Sequence, residues 1–405
     1  MAGCRIRHPL RWFLLLALGA FLAWRFLRPL HIFVIAPAFE RPVVTAGAPA
    51  VLGDLHAETC GRCHPAFFAE WRTSIHRQAW DDDYFQADWR FDGREYVCRN
   101  CHTPLDRQQP RRLLGFRDRD KWDPILATNR DFDRALQHQG VTCAACHLRQ
   151  GRILGPYAGV DAPHPVARLE DPNQVCLRCH VVDGRRWDNF YRFPPCGTVA
   201  ELEAGRGEAV GRSGETRLPD LASLGCVQCH MPLVERPLVP GGQVRRARRH
   251  LWRGGHDPAM VRRALAVELQ PVAGGAGGRA VRLVLTNVGA GHALPTGTPD
   301  RHLTLDLEAT DAAGRVVASR HDKLIRRVLW RPFIVDLWDS RLLAGRSRRY
   351  RLNLPPAAVA VEARVRYHLL EGHRQRRIGY HGRTPVAFDI YHARLRLQSA
   401  AGETP

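Results

Sequence analysis

Ten of the twelve cysteines fall in five copies of one pattern, Cys-x-x-Cys-His. They are Cys60-Gly-Arg-Cys63-His64, Cys98-Arg-Asn-Cys101-His102, Cys143-Ala-Ala-Cys146-His147, Cys176-Leu-Arg-Cys179-His180 and Cys226-Val-Gln-Cys229-His230. Chance predicts about 0.02 copies in a chain of this composition, so the repetition is a built feature. The spacing carries its own chemistry. Two thiols one helical turn apart add to the two vinyl groups of a haem, and the next imidazole ligates the iron from the same side. The reading is five covalently bound c-type haems, with His64, His102, His147, His180 and His230 as the hook ligands to iron.

Other uses of cysteine fit less well. Structural zinc sites pair two such hooks about 12 to 20 residues apart. Here the hooks begin 33 to 50 residues apart, their number is odd, and His follows every second Cys. A disulfide framework leaves the five histidines without a role.

The elements that must position these hooks divide the chain. Its 405 residues are 45% hydrophobic and 25% charged, which excludes a disordered chain and a multi-span membrane protein. Residues 56–262 carry all five hooks, with short helical stretches expected at 65–79 and 258–267. So dense a set leaves little room for a conventional core. The porphyrins themselves serve as the core, with Trp71, Trp80, Trp89, Trp122 and Trp187 expected to pack on them. From 263 to 398 the pattern turns to period two, in runs beginning at Ala266, Val281, Leu303, Tyr350, Val361 and Phe388. About seven strands separated by Gly- and Pro-rich turns predict an antiparallel β-sandwich of immunoglobulin-like size. The expected class is α+β multidomain: a mostly helical, haem-packed cytochrome domain, then the sandwich, then a tail over 399–405.

Haem attachment to this motif takes place outside the cytoplasm, so the chain needs an export signal. Arg5, Arg7 and Arg11 precede the apolar run Trp12–Trp24. The stretch from Leu10 to Leu27 is also long enough to span a membrane if Arg25 snorkels to the interface. We read residues 1–39 as an uncleaved anchor in the inner membrane with the body in the periplasm, and 40–55 as a linker. The formal charge of +20 comes almost wholly from arginine. Compartment excludes nucleic acid as the partner. Redox proteins or quinone-linked membrane proteins are the expected partners. Arg245, Arg246, Arg248, Arg249 and Arg253 are candidates to meet haem propionates, anionic lipid or an acidic partner. Cys196 is a lone cysteine, read as a small buried residue or as an iron or thiol site.

Five irons call for five distal ligands if all are six-coordinate. His76 follows the first hook, and His164 lies in a Gly- and Pro-rich loop after the third. His250 and His256 follow the last hook in Arg249-His-Leu-Trp-Arg-Gly-Gly-His. His292 sits in Gly289-Ala-Gly-His-Ala-Leu-Pro, a tight loop between two strands, from which it is a candidate to reach a haem across the domain boundary.

The W-x-x-S-x-H at Trp71–His76 and Gly140-Val-Thr-Cys-Ala-Ala-Cys-His resemble the cytochrome c-554 family. The likeness covers about residues 56 to 182 and four hooks in order. It implies that His76 and His164 are distal ligands. It also implies that one iron lacks a distal ligand, by motif order the one at Cys98, Cys101 and His102. Thr103-Pro104-Leu105 follows that hook and no histidine appears until His138, so His56 and His138 are the lone histidines that would fill the gap. The fifth hook, with Met231-Pro232 after it, and the β-domain depart from the family's small members.

Two functions compete. One is an electron carrier with mostly bis-histidine haems and no catalytic residue. The alternative is a multihaem oxidoreductase acting on a small nitrogen or sulfur compound at one open haem. Related nitrite reductases carry Cys-x-x-Cys-Lys at the catalytic haem, and every hook here ends in His.

Overall fold

The computed structural model describes residues 9–28, 31, 34–181, 186–209, 225–275, 278–382 and 384–397. Cys4, Arg5, Arg7, His8 and the 399–405 tail lie outside them. The chain is mixed α and β with several sheets.

Helix α1 (Pro9–Leu27) contains the apolar run and is the one helix among the described residues long and apolar enough to cross a membrane. Residues 40–55, expected to link, lie against the hook region. Val43 bridges to Leu105, both buried, and the Thr45 hydroxyl donates to Asp106 at 2.6 Å.

Residues 56–264 are short helices, two two-stranded ribbons, a small three-stranded sheet over 148–168 and loops. Each hook lies on a helical turn: Ala57–Cys63, Tyr96–Cys98 running into Arg99–His102, Cys143–His147, Gln174–His180 and Cys226–His230. A turn is what the chemistry needs, since it sets the two thiols of each hook on one face. The expected helix 65–79 is two pieces. Pro65–Trp71 stops, and Ser74 caps a new turn, Ile75–Gln78, by accepting from the Arg77 N–H at 3.3 Å. Likewise Pro258–Ala264 ends three residues early, where strand alternation starts at Leu265. Apolar clusters in this region are small. The largest described unites Val43, Leu55, Leu105, Leu136, Ala144, Ala145 and Leu148.

Among its described residues the C-terminal part has eight strands: β1 (Leu265–Ala273), β2 (Arg279–Asn287), β3 (His302–Thr310), β4 (Val316–Leu329), β5 (Ile334–Asp339), β6 (Ser347–Leu354), β7 (Ala360–His368) and β8 (Ala387–Arg396). They form a three-stranded sheet, β6-β2-β1, and a larger one in the order β8-β7-β3-β4-β5. The two-residue strand Asn189–Phe190, from the hook region, adds parallel to β5 and closes the second sheet's count at six. Val281, Leu283 and Leu285 from one sheet and Leu303, Leu305 and Leu307 from the other are buried in a single apolar cluster. All six period-two runs are strands. Where one further, less clearly patterned strand is expected, two are present: β4 and β5, which carry no clean alternation. Residues 324–326 of β4 are buried in succession, while Arg320, Lys323 and Arg327 make ion pairs along its length.

Candidate haem-binding cavity

The five hooks surround one cavity of about 2520 Å3. An ordinary small-molecule pocket holds roughly 300–1,000 Å3, so this space fits several large groups. Ten described histidines line it: the five hook histidines and His76, His164, His250, His256 and His292. His56 and His138 do not. They bond instead to Asp133 at 2.8 Å and Asp81 at 2.6 Å.

Four hook rings are held in the same way. The Nδ1–H donates to a backbone carbonyl: His64 to Leu238 (2.8 Å), His102 to Ala79 (2.6 Å), His147 to Leu154 (2.6 Å) and His230 to Arg253 (2.6 Å). A carbonyl can only accept, so the proton sits on Nδ1 and the Nε2 lone pair is free. Such an outer hydrogen bond fixes ring orientation and tautomer in metal-ligating histidines. Burial keeps two of these rings neutral, pushing His102 down to about 4 and lowering His147.

Three further histidines face hook rings. His147 and His250 have ring centres 5.9 Å apart and nearly parallel planes. His180 and His76 are 6.3 Å apart, and His230 and His292 6.5 Å. Two imidazoles on opposite faces of one iron, each nitrogen roughly 2 Å from the metal, set their ring centres about 6 Å apart. All three pairs have that spacing. Burial again holds the second rings neutral, His76 at about 3 and His250 at about 4. Among the described residues no three His, Cys, Asp or Glu side chains converge as a bare metal ion would need. The donor set therefore suits haem: ten hook thiols, facing imidazole pairs and a cavity of the required scale.

Each distal candidate is placed by groups the motifs do not reveal. His76 sits on the turn that meets the third hook. The Val141 N–H donates to its carbonyl at 2.9 Å, and Gly140 (φ +61°) lies so close that a Cβ would stand 2.7 Å from that oxygen. Only glycine allows this approach. His250 donates its backbone N–H to Glu70 at 2.7 Å and its Nδ1–H to the Arg248 carbonyl at 2.9 Å. Burial opposes ionisation of Glu70, but hydrogen bonds from Arg236, the His250 N–H and Arg249 outweigh it and hold the carboxyl at about 2. His292 is pinned by buried Asn287, which donates to the His292 carbonyl at 2.9 Å and accepts from the Ala290 N–H at 3.0 Å. Trp252, at φ +43°, stands edge-on to His76 (4.9 Å) and to His250 (5.0 Å). A tryptophan in that backbone region is strained and persists where its surroundings demand it.

Among the described residues, His164 and His256 face no hook ring at ligation spacing. His164 keeps a buried Nδ1 with no hydrogen-bond partner, whereas His256 turns its Nε2 toward Arg301 at 3.4 Å. His102 has the Phe85 ring stacked on it at 3.5 Å and no facing imidazole. Cys196 lies on the cavity wall with φ +60° and is exposed, contrary to the expectation of a small buried residue. Of the tryptophans expected on the porphyrins, only Trp71 lines the cavity. Trp80 and Trp89 pack edge-on against each other, Trp122 stacks on His31, and Trp187 is 56% exposed. From the arginine cluster, Arg245, Arg246, Arg248 and Arg253 reach the wall, and Arg249 pairs with Glu70.

The hooks also touch one another. The Cys60 thiol neighbours Cys143, Cys101 neighbours Cys179, and Cys176 neighbours Cys226. Glu70, Asn287, Gly140 and Trp252 escaped sequence reasoning. Gly140 alone left a signal, standing three residues before Cys143 inside the family-like motif.

No protein-family model and no curated protein matches the sequence. Among solved structures, a penta-heme cytochrome c552 from Thermochromatium tepidum superposes with a TM-score of 0.61 at 19% identity, covering 85% of this chain and 99% of that one. A Bordetella pertussis protein, 16% identical over 34% of this chain and 95% of its own, has a TM-score of 0.19 and carries no argument. The chain thus has a multihaem-cytochrome fold, similar over nearly its whole length to that of a penta-heme protein.

Proposed function

We propose that this chain is a periplasmic pentahaem c-type cytochrome, tethered by α1, that carries electrons through mostly bis-histidine haems in a redox chain. The observation that carries the reading is the three imidazole pairs, His147–His250, His180–His76 and His230–His292. Bound haem supplies an iron that takes up and gives back one electron. The chain's own residues do the rest. The ten hook cysteines supply the thioether attachments. Carbonyls of Leu238, Ala79, Leu154 and Arg253 fix the hook rings, and Glu70, Asn287 and the Gly140 turn fix the rings that face them. Trp252 ties the distal histidines of the third and fourth hooks together. Neighbouring thiols join the first hook to the third, and the second, fourth and fifth in a row, so the attachment points form two groups that Trp252 spans. His164, with its partnerless buried nitrogen, and His256 remain as ligands for the hooks of His64 and His102. The eight-stranded part is a β-sandwich that lends His292 to the fifth hook. Its partners are redox proteins or quinone-linked membrane proteins.

A pyridine haemochrome assay with intact mass tests the count and should return five haems per chain. Three or fewer in matured protein contradicts it. Electron paramagnetic resonance of the oxidised protein should show at least three low-spin bis-histidine centres.

A second reading rests on His102, whose ring faces no other imidazole. An iron held there without a distal ligand would make the chain an oxidoreductase for a small nitrogen or sulfur compound. Carbon monoxide titration of the reduced protein separates the two: one binding site, lost with the His102 hook, favours the oxidoreductase, and none favours the pure carrier.

A further inference from the structure

We infer that the face of the body carrying Trp187, Phe190 and Phe333 is seated in the interfacial layer of the bilayer beside α1, so that the body rides on the membrane in one orientation. This rests on the reading of α1 as a retained membrane anchor. The 19 residues of α1 rise about 28 Å, close to the thickness of a bilayer's hydrocarbon core. The body does not hang from the end of that helix by a free strand. It grips the helix's last two turns. Arg25 ion-pairs with Asp188 at 2.9 Å, and both side chains are almost fully buried. The Phe21 ring lies 6.3 Å from Trp187 and 6.1 Å from Phe333, and Phe333 in turn meets Trp187 and Phe190 edge-on. The Arg331 guanidinium bonds to the Phe26 carbonyl.

Depth follows from this contact. Phe21 lies six residues before Leu27, so it sits about 9 Å short of the helix's end. Body residues that touch Phe21 share that depth, which matches the roughly 5–10 Å to which interfacial elements bury their apolar faces. Docking also leaves the apolar groups uncovered. Trp24 and Phe26 remain half exposed, and Trp187 and Phe190 are 56% and 55% exposed. Lipid is the occupant the geometry favours, because the patch is continuous with a helix whose exposed surface is apolar from Trp12 to Leu27. Tryptophan and phenylalanine beside arginine suit that layer, the rings lying at headgroup depth while Arg28 and Arg331 reach phosphates.

The test uses the full chain, matured with its haems, in nanodiscs of phosphatidylcholine and phosphatidylglycerol. A photo-crosslinking p-benzoylphenylalanine is placed at Phe190. The control carries it at Val316, which is equally exposed but stands at the opposite end of β4 from Leu329. Irradiation should give several-fold more phospholipid adduct from position 190 than from 316. A second variant with the probe at Trp187 serves if the first fails to assemble with its haems. Equal or absent adducts from a chain that stays in the membrane fraction through a high-salt wash overturn the seating and leave the tether standing. A mature chain found soluble, with a mass that begins beyond Leu27, overturns the tether and the seating with it.

Discussion

The two halves of the body solve the same problem in different ways. The C-terminal half has a core made of its own side chains: the largest buried apolar cluster runs from Val261 to Ile390 and draws on both sheets. The hook region has nothing comparable. Its described clusters are small and peripheral, and its centre is a cavity walled by thiols and imidazoles. One half is folded by side-chain burial, and on the proposed reading the other is folded around the haems its cysteines and histidines would hold. Dependence on cofactor should divide along the same line.

The largest effect should come from withholding haem. In chain produced without haem attachment, hydrogen exchange should find β2, β3 and β7 still protected and the hook helices exchanging freely. Comparable protection in both halves would erase the contrast.

Core truncation should act the other way round. Leu305→Ala, at a fully buried site shared by both sheets, should cost about 2–5 kcal/mol in denaturant unfolding while the haem spectrum stays as it was. Next come the distal ligands. Replacing His250 or His292 with Ala should turn one iron of five to high spin with covalent attachment intact. His292→Ala sharpens the comparison, because it alters a haem from a strand loop. Gly140→Ala should disturb the same signal for the haem paired with His76, since its Cβ would strike that residue's carbonyl.

The smallest effect concerns Glu371 in the β-rich half. Burial disfavours its charge, but bonds from Arg327 and Lys323 prevail and hold the carboxyl at about 2. A carboxyl depressed in the folded state stabilises above its unfolded value, roughly 4.3, and that contribution fades as pH falls toward 2. Glu371→Gln should therefore lower stability at pH 7 by about 2 kcal/mol and flatten the acid limb between pH 4.5 and 2. The haem spectrum should not respond.

Legibility followed the same division. Strand alternation marked β1, β2, β3, β6, β7 and β8, because one face of each is buried in a shared core. It failed for β4 and β5, where ion pairs interrupt the pattern. In the hook region the motif named every hook, and local context named all five other histidines that line the cavity. Which histidine faces which hook was not legible. His76 follows the first hook in sequence yet faces the fourth, and His292 reaches the fifth from a strand loop, because chain reversal around a cavity erases sequence proximity. Nor was the support visible: Glu70 and Asn287 belong to no pattern, and their roles arise only from long-range contact. The tryptophans misled for a related reason. Trp122 and Trp187 found other partners, while Trp252, unremarked in sequence, entered the cavity.

The central claim is that facing imidazoles hold the irons, and a crystal structure of the mature protein with anomalous scattering from iron tests it most directly. Five iron peaks are expected, three of them between the ring nitrogens of His147 and His250, His180 and His76, and His230 and His292. A peak beside His147, His180 or His230 with a different distal ligand, or none, would contradict the account.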